Sequence, residues 1–137
     1  MQKNIEKTAK DINNYKRKTI FYKSARQGFS EILKFLKNKY NEYTLLLPAY
    51  IGYSPNEGSG IYDPIIENDI SHYFYSIDEN INIDVNDYKN KLLKVKGQAV
   101  VLLVHYFGYI DPKIEEVIKI ARENNAIIIE DCAHALY

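Results

Sequence analysis

The sequence has one cysteine, four prolines and no surplus of charge of either sign. Each shortage removes a class of protein. With Cys132 alone, no intrachain disulfide can form, and its place in an apolar run fits a packed thiol in a reducing compartment, so a cytoplasmic location is expected. Eighteen Lys plus Arg balance eighteen Asp plus Glu, so no global field favours a polyanion, and nucleic acid is not an expected partner. No apolar run approaches the roughly 20 residues of a membrane span. Met1 to Lys18 is rich in Lys, Asn and Glu and lacks the apolar core of a signal peptide, so a membrane is not an expected partner either.

At 137 residues the chain has room for one modest domain with a single core. Residues 1–20 carry many charges with weak periodicity and are expected to form an arm. From Arg26 to Tyr40, apolar residues at Phe29, Ile32, Leu33 and Leu36 keep the three-and-four spacing of an amphipathic helix, with Ser24 available as its cap. Tyr43 to Leu47 reads as a short buried strand stopped by Pro48. All the proline but Pro112 lies between Pro48 and Pro64, so residues 49–60 are expected to form a long loop that can include a helical turn.

His72 to Ile77, aromatic and β-branched, reads as a second strand. Val85, Tyr88, Leu92 and Leu93 mark a helix opened by Asp84. Ala99 to Val104 is a third strand. Ile114, Val117, Ile118 and Ala121 repeat the helical spacing after Asp111-Pro112, and Ala126 to Ile129 is a last strand running into Glu130-Asp131. Strands alternating with helices in this rhythm predict an α/β domain, a mainly parallel sheet covered on both faces as three layers.

Open parallel sheets bind ligands beyond the carboxyl ends of their strands. Three such places carry chemistry: Pro48 to Tyr53, His105-Tyr106-Phe107-Gly108, and Glu130-Asp131-Cys132-Ala133-His134. A fourth, Ser24-Ala25-Arg26, opens the first helix, where free N–H groups and the helix dipole favour a phosphate. Tyr50 and Tyr53 sit on a glycine-containing loop where an aromatic face could stack on a flat ring. Taken singly, each has a plainer reading as a strand-end cap, a packed histidine or an ordinary helix start. Two histidines near a carboxylate are also a conceivable metal set. No His-Glu-x-x-His spacing is present, and no metal site is expected.

Leu45-Leu46-Leu47-Pro48-Ala49-Tyr50, Val104-His105-Tyr106-Phe107-Gly108 and Ile129-Glu130-Asp131-Cys132-Ala133-His134-Ala135-Leu136 occur in an order and spacing that resemble the DegT/StrS-type aminotransferases. This is a fold-type I family dependent on pyridoxal 5'-phosphate (PLP) that includes many sugar aminotransferases, and the likeness runs from about Phe21 to the last residue. It implies that Asp131 pairs with the pyridine nitrogen of the cofactor and increases the ring's electron withdrawal. It also implies that His134, where the family commonly has Gln, reaches the phenolic oxygen. The family's helix-opening Gly-Thr aligns with Ala25-Arg26, which loses the hydroxyl and keeps the N–H groups plus a cation. Tyr53, with Tyr50 as the alternative, matches the ring-stacking aromatic.

The Schiff-base lysine of the family lies beyond this Asp, and none of the chain's own lysines matches it, so no catalytic residue is assignable. The resemblance therefore implies residues 21–137 as part of a PLP-transferase large domain, truncated before the lysine region. The activity implied is amino transfer from an amino acid to a keto substrate such as a nucleotide-linked keto sugar, by a full-length form that is a homodimer. The alternative is a non-catalytic remnant that serves as a binding or assembly module.

Overall fold

A computed structural model describes residues 19–135; the expected arm lies almost wholly outside them. Helix α1 spans Ala25–Lys39. It begins where the sequence places a cap, with the Ser24 side chain accepting from the Gln27 N–H and Lys37 and Lys39 at the negative end of the dipole. Leu33 and Leu36 face inward, and Ile32 and Phe35 remain substantially exposed.

Strand β1 (Tyr43–Pro48) is buried throughout. It lies at the centre of a four-stranded sheet of order β2-β1-β3-β4, with β2 spanning His72–Tyr75, β3 Gln98–Val104 and β4 Ile127–Asp131. All three pairings are parallel. A parallel neighbour requires a crossover, and helices α2 (Tyr62–Glu67), α3 (Val85–Leu92) and α4 (Ile114–Glu123) lie in those connections.

The period of two along the strands divides the core. Leu45, Leu47, Val100 and Leu102 pack with Leu33, Leu36 and Ile65 on the α1 and α2 face. Leu46, Ala99, Val101 and Leu103 pack with Tyr88, Leu92, Val117 and Ala121 on the α3 and α4 face. The domain is thus three layers, as expected. Two buried tyrosines anchor the faces through polar tips. The Tyr43 hydroxyl donates to the Leu33 carbonyl at 3.1 Å, and burial pushes its pKa up to about 12. The Tyr75 hydroxyl donates to the Leu102 carbonyl at 2.9 Å, with its ring edge-on to Tyr88.

Several boundaries differ from expectation by a residue or two, and one helix is not expected from the pattern. The long loop ends in α2, whose third residue is Pro64; proline is tolerated there because the first-turn N–H groups have no helical acceptor. Ser59 and Asp63 prepare that start reciprocally. The Ser59 hydroxyl accepts from Tyr62 N–H and the Asp63 carboxylate accepts from Ser59 N–H. Strand β2 ends at Tyr75 rather than Ile77, which instead makes an isolated bridge to Ile83.

Candidate active site at the carboxyl ends of the strands

A cavity of about 700 Å³ opens at the carboxyl end of the sheet on the α1 side. Its walls come from the start of α1 (Ala25, Arg26, Gly28), the loop after β1 (Ile51, Gly52, Ser59 to Ile61), Leu102 of β3, and the end of β4 from Ile129 to His134. The register explains the gathering. Val104 pairs with Asp131, so β3 and β4 end together, and His105 N–H donates to the Asp131 carbonyl at 3.1 Å.

Asp131 is the last residue of β4 and is half-buried. One carboxylate oxygen, Oδ1, accepts the Ala133 N–H at 2.9 Å, and this short turn fixes the carboxylate at the strand end. His134 is exposed at the rim. Its ring lies nearly parallel to that of Phe107, with centroids 5.8 Å apart and 12° between planes. Phe107 belongs to the 3₁₀ turn Tyr106–Gly108 and takes φ 54°, a left-handed conformation uncommon for a large side chain. Gly108 follows at φ 78°, where an added Cβ would lie 3.0 Å from the His134 carbonyl oxygen.

At the opposite wall, the N–H groups of Ala25 and Arg26 belong to the first turn of α1 and have no acceptor within the helix. The Arg26 guanidinium turns to the loop. It donates to the Glu57 carbonyl and lies 3.5 Å from the Asp63 carboxylate. Arg26 thus joins the start of α1 to the loop after β1, a partnership that its position at a helix start does not announce.

The two tyrosines of that loop do not line the cavity. Tyr53 is 74% exposed, and Tyr50 turns its ring edge-on to Tyr106 at 5.3 Å. The loop residues that do line it include Ile51 and Gly52. Tyr106 donates its hydroxyl to the Tyr50 carbonyl, and burial, then the neighbouring Tyr50 and Asp131, push its pKa well up. Burial also raises the Cys132 thiol, helped by the carboxylates of Glu130 and Asp131.

This is a parallel α/β domain whose ligand cavity lies between a helix start and a carboxylate at a strand end. Residues 61–137, more than half of the chain, match the model of the DegT/DnrJ/EryC1/StrS aminotransferase family, and the chain belongs to that family. Its members are PLP-dependent enzymes. The fold is also that of the histidinol-phosphate aminotransferase from Clostridium acetobutylicum, at 22% identity and a TM-score of 0.52. The match covers 74% of this chain and 29% of that one. No curated protein matches the chain in sequence.

The residues present fit PLP in part. Unbonded first-turn N–H groups suit a phosphate, Ile51, Leu102 and Ile129 supply apolar wall for a ring, and Asp131 supplies a carboxylate at the strand end. No lysine lines the cavity among the described residues.

Proposed function

We propose that residues 21–137 form the front part of the cofactor domain of a PLP-dependent aminotransferase that moves an amino group from an amino acid to a keto substrate. The acceptor class is a nucleotide-linked keto sugar, as the family resemblance implies. The observation that carries this reading is the cavity itself, which brings Asp131 and the start of α1, distant in sequence, to one site in a chain of this family.

Bound PLP supplies an electron sink for the bond changes at the amino carbon. Asp131 holds its charge at the pyridine nitrogen and so keeps a proton there. The Ala25 and Arg26 N–H groups bind the phosphate, while the Arg26 side chain fastens the loop after β1 against α1. His134, oriented by its stack on Phe107, donates to the phenolic oxygen. Tyr53, exposed on the loop after β1, would be the aromatic that stacks on the ring, with Tyr50 as the alternative. The covalent lysine and the second half of the site come from sequence beyond Tyr137, and the complete protein works as a homodimer in the cytoplasm. No helix of the described residues is long and apolar enough to cross a membrane.

The test is to read the coding frame past Tyr137 and assay its complete product. A lysine-bearing continuation, a PLP-dependent visible band and amino transfer to a keto sugar nucleotide are expected. A stop codon at that point, with no separately encoded partner able to restore the band, would sink the enzyme reading and leave a non-catalytic assembly module of the same fold.

A further inference from the structure

The ends of β3 and β4 carry a second cluster, at the border of the cavity, to which the proposed cofactor binding gives no role. Glu130 and Cys132 are two residues apart, and His105 follows Val104, which is paired with Asp131. One ligating atom from each of His105, Glu130 and Cys132 falls within 4.8 Å of the others. The His105 side chain is only 10% exposed, and its Nε2 lies 3.1 Å from Glu130 Oε2, so the imidazole is already turned toward the carboxylate. Glu130 and Cys132 border the cofactor cavity beside Asp131, whereas His105 does not line it.

We propose that His105, Glu130 and Cys132 form a binding site for a zinc-class divalent cation that clips the end of β3 to the end of β4. The donor set decides the class. One imidazole nitrogen, one thiolate sulfur and one carboxylate oxygen suit a borderline-soft ion, whereas Mg²⁺ and Ca²⁺ require oxygen ligands. In a tetrahedral zinc site with bonds of about 2.0–2.3 Å, the donors stand roughly 3.3–3.8 Å apart. His105 Nε2 and Glu130 Oε2, at 3.1 Å, stand slightly closer than that and need to part by only a few tenths of an ångström, and Cys132 needs a rotamer adjustment on the order of 1 Å.

Two protein segments are then joined by three ligands, with a fourth position left for water or another ligand. The joint lies between the ends of β3 and β4, and β4 is an edge strand of the described sheet, so the ion would stiffen the strand end that presents Asp131. The set differs from the histidine pair that spacing alone suggested. His134 takes no part.

The experiment is titration of metal-stripped, tag-free protein with Co²⁺, followed by competition with Zn²⁺, for the wild type and for Cys132→Ser, Glu130→Gln and His105→Ala. The wild type should bind one equivalent, show the near-ultraviolet sulfur-to-cobalt charge-transfer band together with the visible bands of a tetrahedral ion, and lose both to Zn²⁺. Cys132→Ser should abolish the charge-transfer band, and each substitution should weaken Zn²⁺ binding at least tenfold. Zn²⁺ should raise the melting temperature of the wild type and not that of Cys132→Ser. Circular dichroism of the metal-free variants separates a lost ligand from a lost fold, with Cys132→Ser decisive because it removes no hydrogen bond or ion pair of the described chain. A wild type with no charge-transfer band at one equivalent, or Zn²⁺ affinity indifferent to both Cys132→Ser and Glu130→Gln, overturns the proposal and leaves His105 and Glu130 as a plain hydrogen-bonded pair.

Discussion

The carboxylate of Asp111 accepts a 2.6 Å hydrogen bond from the backbone N–H of Ile83, 28 residues earlier in the chain. Its other oxygen accepts the Lys113 N–H at 2.7 Å, just before α4 begins. One buried acid thus ties the loop before α3 to the start of α4. Removing it as Asp111→Ala leaves the buried Ile83 N–H without an acceptor, and the expected loss is about 2–3 kcal/mol. Asp111→Asn keeps one acceptor oxygen while its NH₂ group opposes the other N–H, so it should recover only part of that loss. Urea unfolding followed by circular dichroism measures both, and equal losses would show that the hydrogen bonds are not the source.

The loop after β1 depends on Gly58. Its φ is 69°, and a Cβ built there would lie 2.1 Å from Asp63 Oδ2, the oxygen that also accepts from Ser59 N–H and faces Arg26. Gly58→Ala should therefore strain the backbone and push the Asp63 carboxylate aside, for a combined cost on the order of 2 kcal/mol. Limited proteolysis is the direct readout, because the loop from Ala49 to Ile61 would lose its tie to α1. Cleavage there at the wild-type rate would mean that Arg26 does not need this arrangement.

Most of the fold is legible in the sequence because the signals are local. Ser24 and Asp84 cap the helices that they precede, and the three-and-four spacing of Val117 and Ala121 lies on the buried face of α4. Helix α2 is not legible, since proline and glycine mark turns and the Ser59–Asp63 exchange that starts it is a side-chain agreement within an irregular segment. The site divides in the same way. Asp131 and Ala25-Arg26 follow from strand ends and helix starts, whereas the inward turn of Ile51 and Gly52, instead of Tyr50 and Tyr53, has no periodicity to reveal it. The approach of His105 to Glu130 depends on the register of β3 against β4, which no single strand encodes.

Acid should weaken the α3 face through Asp87. Burial opposes its charge, yet hydrogen bonds from the N–H and hydroxyl of Ser76, with the Lys91 ammonium 3.4 Å away, hold the carboxyl below the usual carboxylate range. A pKa lowered by folding contributes stability that is present above the unfolded value near 4 and is lost as pH falls through the folded value. Asp87→Asn should flatten that part of the stability profile while leaving the neutral-to-alkaline part parallel to the wild type. Partial exposure limits the effect to about 1 kcal/mol. Urea midpoints measured between neutrality and strong acid test it, and a variant as acid-sensitive as the wild type would assign the loss to other groups.

Asp131 offers the sharpest separation of fold from chemistry. Its Oδ1 accepts the Ala133 N–H, a contact that asparagine can reproduce with its own carbonyl oxygen. Its charge has no such substitute. Asp131→Asn should therefore keep the strand end and the thermal stability of the protein, yet lose the charge-assisted interaction with a protonated ring nitrogen, worth about 1.5–3 kcal/mol. In an enzyme of the proposed kind this corresponds to a fall in PLP affinity or in kcat/KM of roughly 10- to 150-fold. Asp131→Ala should add a structural loss by freeing the Ala133 N–H. Measuring cofactor affinity and melting temperature on the same preparations distinguishes the two contributions. Unchanged PLP affinity and kcat/KM in Asp131→Asn would assign this carboxylate to the turn alone, even with the family membership standing.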